Sequence, residues 1–150
     1  MLRACLHQDV LFNALNTVSA EVETDPRHAR ALLETFGTLL RLSLEHACEP
    51  DITLARELAY IECYLDLQKM RLDDRLEVII NVDPDTLDAL VPAFILQPAI
   101  ETVMRQPAPQ RSTPVRILIE AFREDSVLHL NVHAGARIAL TLPFRIYSAP

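Results

Sequence analysis

The sequence predicts an α+β chain, with an antiparallel helical hairpin leading and a small α/β layer of about four strands and one or two helices following. Three observations carry this. Apolar residues recur every three or four positions through the first 72 residues. Beyond Arg71 the residues become β-branched and alternate. Several of the breaks fall on proline-containing stretches (Thr24 to Pro26, Cys48 to Asp51, Gln106 to Pro114), and the 150 residues include 10 Pro and only 2 Gly.

In Leu2 to Val22, two adjacent stripes (Leu2, Leu6, Val10, Ala14 and Leu11, Leu15, Val18, Val22) make one wide apolar face. Thr24-Asp25-Pro26 ends this helix, with Asp25 a predicted N-cap and Pro26 a predicted first helical residue. Leu32, Leu33, Phe36, Leu39, Leu40 and Leu44 mark a second helix, and the short link makes the pair a hairpin. After Cys48-Glu49-Pro50-Asp51, the spacing of Leu54, Leu58, Ile61, Leu65 and Leu72 predicts a third helix. Arg75 to Val82 reads as a strand. Pro84 and Asp85 turn the chain, and Pro92 to Gln106 reads as a helix with an internal Pro98. Gln106 to Pro114 is a proline-rich loop. Val115–Phe122, Val127–His133 and Arg137–Phe144 read as strands, with a turn at Glu124-Asp125, completing a mostly antiparallel sheet with a helix on it. The expected division is 1–50 for the hairpin and 51–150 for a linking helix with the α/β layer.

A two-helix hairpin with wide apolar faces cannot bury itself. Pairing two hairpins as a four-helix bundle solves this, so a homodimer is expected ahead of coverage by the α/β layer of the same chain.

Composition narrows the chemistry. The residues are 50% hydrophobic and 23% charged, enough apolar material for a core. Gly37 and Gly135 cannot form a GxGxxG or GxxxxGK[ST] phosphate loop. The net charge is −7, with the acidic excess in residues 1–102 and a small basic excess after them, which argues against nucleic-acid binding. Cys5, Cys48 and Cys63 form no CxxC; they suit a reducing cytoplasm and read as small core residues. No 18-residue apolar run spans a membrane, and Gln8 and Asp9 interrupt any leader peptide.

Leu2 to Asn16 (LRACLHQDVLFNALN) resembles the phosphoacceptor segment of the LytS/YehU-type sensor histidine kinases, L-K-A-Q-I-N-P-H-F-L-F-N-x-L-N. The resemblance continues in order through LLRLSL (39–44), ELAYIECYLDLQKMRLDDR (57–75) and VPAFILQPAIETVMRQ (91–106). It implies a phosphoacceptor hairpin followed by an ATP-binding domain.

The departures are informative. Asp9 stands at the phosphoacceptor histidine and Gln8 at the preceding proline. A carboxylate cannot form the phosphoramidate a histidine kinase uses, and no Mg²⁺ site for an acyl phosphate is evident. His7 points about 200° away from Asp9 on a helix and reads as a surface residue. The resemblance makes Glu101 the survivor of the family's Glu-Asn pair, with Thr102 at the Mg²⁺-coordinating asparagine. Arg105, Gln106 and Pro107 replace Lys-His-Gly, and Pro107 lacks a backbone N–H. Ala134 falls where an aspartate would read adenine, and Gly135 is almost adjacent to the last strand, so the nucleotide lid is expected to be missing. Asn13 and Asn16 are retained and read as structural, or with Asp9 as part of a partner-binding surface.

Other histidines give bland readings. His129 and His133 lie on the polar face of a strand, roughly 13 Å apart and too far for one metal. His46 near Cys48 reads as a cation closing the second helix, and His28 as exposed. The chain is therefore expected to be a cytoplasmic, degenerate histidine kinase with no cofactor and no bound metal. It would act as a homodimer that binds a response-regulator receiver domain or a related sensor kinase, without nucleic acid or membrane insertion. The alternative is a histidine phosphotransfer protein, or a weakly active kinase fragment, passing phosphate to a response regulator.

Overall fold

The structure is a computed structural model that describes residues 8–71, 75–105 and 114–147. The proline-rich loop, Cys5 and His7 lie outside the described residues, as do the side chains of Gln8 and Asp9. Among the described residues the fold is α+β, with four α-helices and two sheets of two and four strands.

Helix α1 spans Gln8–Glu21 and α2 spans Pro26–Ala47. Their link ends on the expected cap: Asp25 Oδ1 accepts the His28 N–H at 3.1 Å, and Pro26 opens α2 where no N–H is needed. The His28 ring is half-buried against Glu21. The two helices pack on each other, and α2 packs on α3 (Leu54–Arg71). Leu32 and Leu39 of α2 are fully buried, whereas Leu33 and Leu44 of the predicted stripe are exposed.

A short strand, β1 (Asp51–Thr53), precedes α3 and pairs antiparallel with β3 (Leu90–Pro92). The sequence pattern predicts neither, because three-residue strands carry too little alternation to be read. This small sheet seats α3: the N–H groups of Leu54 and Ala55 donate to the carbonyls of Ala89 and Leu87. The chain's end returns to it, with Leu90 N–H donating to the Arg145 carbonyl and Arg145 ion-paired to Asp51 at 3.4 Å.

The larger sheet runs β2 (Leu76–Val82), β4 (Val115–Glu124), β5 (Val127–Ala134), β6 (Ala136–Pro143). β2 and β4 are parallel and the other pairs antiparallel. Ile117, Ile119, Leu128, Leu130 and Val132 are fully buried on one face, beneath α3 and α4 (Leu96–Met104). The opposite face carries cross-strand polar pairs, including Glu77–Arg116 at 2.8 Å and Glu120–His133 at 3.0 Å.

Helix α4 starts four residues later than the predicted Pro92. Phe94 adopts a left-handed backbone (φ 63°), which halts any helix there. Pro98 is consequently not internal: it sits in the first turn of α4, where its missing N–H breaks no helical hydrogen bond. Among the described residues no helix is long and apolar enough to cross a membrane.

Candidate functional site

Helix α4 and the residue that follows it carry three of the four residues expected at a nucleotide site, and the helix is positioned from α3. The α4 N-terminus has no side-chain cap of its own, since Ile95 occupies that position. Glu57, fully buried on α3, supplies one from 39 residues away: its carboxylate accepts the N–H of Leu96 and the N–H of Phe94, each at 2.9 Å. A carboxyl there also meets the positive end of the α4 dipole. Burial pushes the Glu57 carboxyl above its ordinary range, and the two N–H donors oppose that rise without overcoming it.

A polar chain then runs along the buried α3–α4 seam. Tyr60 Oη donates to Gln97 Oε1 at 2.8 Å, and Gln97 Nε2 donates to Glu101 Oε1 at 2.9 Å. Tyr60 and Gln97 are buried, and Glu101 is 7% exposed. Arg105 stands over the outer end of the chain, its Nη2 3.7 Å from Glu101 Oε2. Tyr64 lies beside Glu101, and burial together with that carboxylate pushes its phenol up to about 12. Glu101 is thus held by neighbours within the seam. Thr102 is exposed, and its hydroxyl donates to the Pro98 carbonyl at 2.7 Å, turned back on its own helix.

Ala134 ends β5 and lies half-buried, paired directly with Ala136 of β6. Only Gly135 separates them, with φ 78°, a conformation open to glycine without a steric cost. Where β5 ends, the chain therefore turns straight into the next strand. Helix α4 packs against both β5 and β6. On this helix the Glu101 carboxylate is engaged by Gln97 and Arg105, and the Thr102 hydroxyl is bonded to its own helix.

Asp9, Asn13 and Asn16 all lie in α1. Asn13 and Asn16 are exposed, and Asn13 contributes its carbonyl to the Thr17 hydroxyl at 2.9 Å. Phe12 (63% exposed) and Leu15 stand beside them. A groove between α2 and α3, of about 400 Å³, is lined by Glu34, Thr35, Thr38, Glu62, Cys63 and Asp66.

Two expectations need correction. Cys48 is not a core residue but exposed, while Cys63 lies half-buried against the core, its thiol pushed up by burial. His46 is not a surface cation at the end of α2. It is 1% exposed, packed between the rings of Tyr60 and Phe94 at 5.7 and 5.8 Å. Burial, aided by the Arg56 charge, pushes its pKa below 6.5. Among the described residues no group of three His, Cys, Asp or Glu side chains is placed to hold a metal; His129 stacks on Phe122 and His133 pairs with Glu120.

Comparison with known proteins matches residues 1–76 to the family model described as histidine kinase. The chain is 33% identical over 136 residues to the sensor histidine kinase BtsS of Escherichia coli K12, covering 91% of this chain and 24% of that protein. It is 32% identical over 131 residues to the sensor protein LytS of Bacillus cereus, covering 87% of this chain and 22% of the relative. LytS of Bacillus subtilis is 28% identical over 136 residues, covering 91% and 23%. The chain thus spans less than a quarter of the length of these relatives.

Proposed function

This chain belongs to the histidine kinase family, and from that membership we propose that it is a degenerate member acting by protein binding, as a homodimer, without phosphorylating itself. The observation that carries this reading is the state of α4. Glu101 is held in the Tyr60–Gln97 chain, and Thr102, at the expected metal ligand, bonds to Pro98. Asp9 in place of the phosphoacceptor histidine and the one-residue turn at Gly135 in place of a lid agree with it.

The helical module provides the binding surface. Phe12, Leu15, Val22, Leu33 and Leu44 of the α1–α2 region are 46–63% exposed. A single chain leaves this apolar surface in water, and a second α1–α2 hairpin closing a four-helix bundle would cover it. The partner in signalling would be a response-regulator receiver domain or a related sensor kinase in the cytoplasm, docking beside Asp9, Asn13 and Asn16.

Incubation with labelled ATP should leave no acid-labile phosphate on the protein, and calorimetry should find no micromolar affinity for Mg²⁺–ATP. Stoichiometric label would instead establish a phosphotransfer or weakly active kinase fragment. Asp9→His alone should not restore autophosphorylation, because the α4 side is unchanged by it.

A further inference from the structure

The buried His46 ring has no part in the reading above. It lies one residue before the end of α2, yet it contacts two other segments: Tyr60 of α3 and Phe94, which leads into α4. Tyr60 and Phe94 also meet edge-on at 5.1 Å, closing a three-ring cluster where α2, α3 and the entry to α4 join. Nδ1 of His46 is buried and has no hydrogen-bond partner among the described residues. A neutral imidazole tolerates this seat at the cost of one unmade hydrogen bond; an imidazolium would bring an unpaired charge into it.

The charges around the ring are placed asymmetrically. Arg56, on α3, repels an added proton. Glu45 on α2 and Glu49 in the link attract one, and both are exposed. Glu57 on α3 grips the N–H of Phe94. Residues 93–95 bring no ionisable side chain. Beyond His46 the chain passes through exposed Cys48, Glu49 and Pro50, tied down by the Arg56–Glu49 ion pair at 2.8 Å.

We infer that His46 is a proton-operated latch: seated neutral between Tyr60 and Phe94, it holds the end of α2 to α3 and to the segment entering α4, and once protonated it leaves for the Glu45–Glu49 surface and lets α2 pivot at Cys48–Pro50. The proton comes from solvent onto the ring, and no bond other than N–H forms. This does not depend on whether the nucleotide side is inactive.

The sign follows from linkage. The seated ring binds protons less readily than the unfolded chain, so its contribution is complete above pH 6.5. It is lost as pH falls from there through the lowered value. Glu57 titrates in the opposite sense, so only the difference between wild type and a His46 variant isolates the latch.

The test is amide hydrogen exchange and urea unfolding of the 150-residue chain between pH 8 and 5, for wild type and His46→Phe, with the His46 ring followed by NMR. For wild type, exchange in residues 44–49 and 94–96 should accelerate as pH falls, beyond the intrinsic pH effect, in step with ring protonation below 6.5. The equilibrium should change about tenfold for each unit by which the ring pKa is lowered. His46→Phe should lose this acid response. A ring that titrates at or above 6.5, local exchange that ignores its titration, or a phenylalanine variant with the same acid response would each overturn the latch. If His46→Phe fails to fold, the wild-type ring titration and exchange decide alone.

Discussion

At the scale of single residues, Glu57 organises the region around α4. It holds two backbone N–H groups at the entry to that helix, so Glu57→Leu should cost about 3 kcal/mol, measured by urea unfolding. Glu57→Gln keeps an acceptor and should cost less. Its effect should also depend on pH in a stated direction. The folded carboxyl is raised above 4.5, so wild type is favoured below that value and loses stability as pH rises through the folded pKa. The glutamine variant does not titrate there and should gain on wild type as pH increases; a constant gap from pH 4.5 to 8 would contradict the assignment. The residues that matter here were only half legible in the sequence. Glu101, Thr102, Arg105 and Ala134 could be placed by resemblance, but the bonds that occupy Glu101 and Thr102 could not. Glu57 and Gln97 stood within segments that resemble the family, yet nothing local marks a carboxylate that caps a helix 39 residues away. His46 misled because its position at a helix end suggests a cation, whereas burial by Tyr60 and Phe94 is a tertiary effect.

At the scale of elements, legibility followed the strength of the local pattern. Helices α2 and α3 and the strands β2, β4, β5 and β6 lie within a few residues of where periodicity set them, since each repeats its apolar residues over many positions. The start of α4 was misplaced because Phe94 is held left-handed by its surroundings, a choice its own side chain disfavours. The two glycines make contrasting predictions. Gly37 lies in the middle of α2, and a methyl group added to its Cα would meet nothing within 4 Å. Gly37→Ala should therefore stabilise by about 0.5–1 kcal/mol, seen as a higher unfolding midpoint. Gly135 supports the whole β5–β6 turn at positive φ. Gly135→Ala should destabilise by about 1–2 kcal/mol in the same assay.

At the scale of the molecule, α1 and α2 leave Phe12, Leu15, Leu33 and Leu44 exposed in a single chain. Phe12→Ser with Leu44→Ser removes two side chains that are 63% and 61% exposed in one chain. If they lie in a bundle interface, light scattering should shift from a dimer to a monomer while circular dichroism of each chain is retained. A wild-type protein that is monomeric at micromolar concentration would count against the bundle. The latch at His46 belongs to this scale as well, because the segment it controls connects that surface to the rest of the chain.

The parallel pairing of β2 with β4 has a kinetic consequence. Residues 39 apart in sequence, such as Glu77 and Arg116, must meet before the sheet can close. The intervening stretch includes β3 and α4, and α4 is itself seated by a residue of α3. The α1–α2 contacts, by contrast, join neighbouring stretches of chain. The four-stranded sheet draws on residues 76–143, so closing β2 on β4 should be the slow event of folding. The helical contacts are therefore local in sequence, and the pairing of β2 with β4 is the long-range step that the fold must make across the intervening β3 and α4.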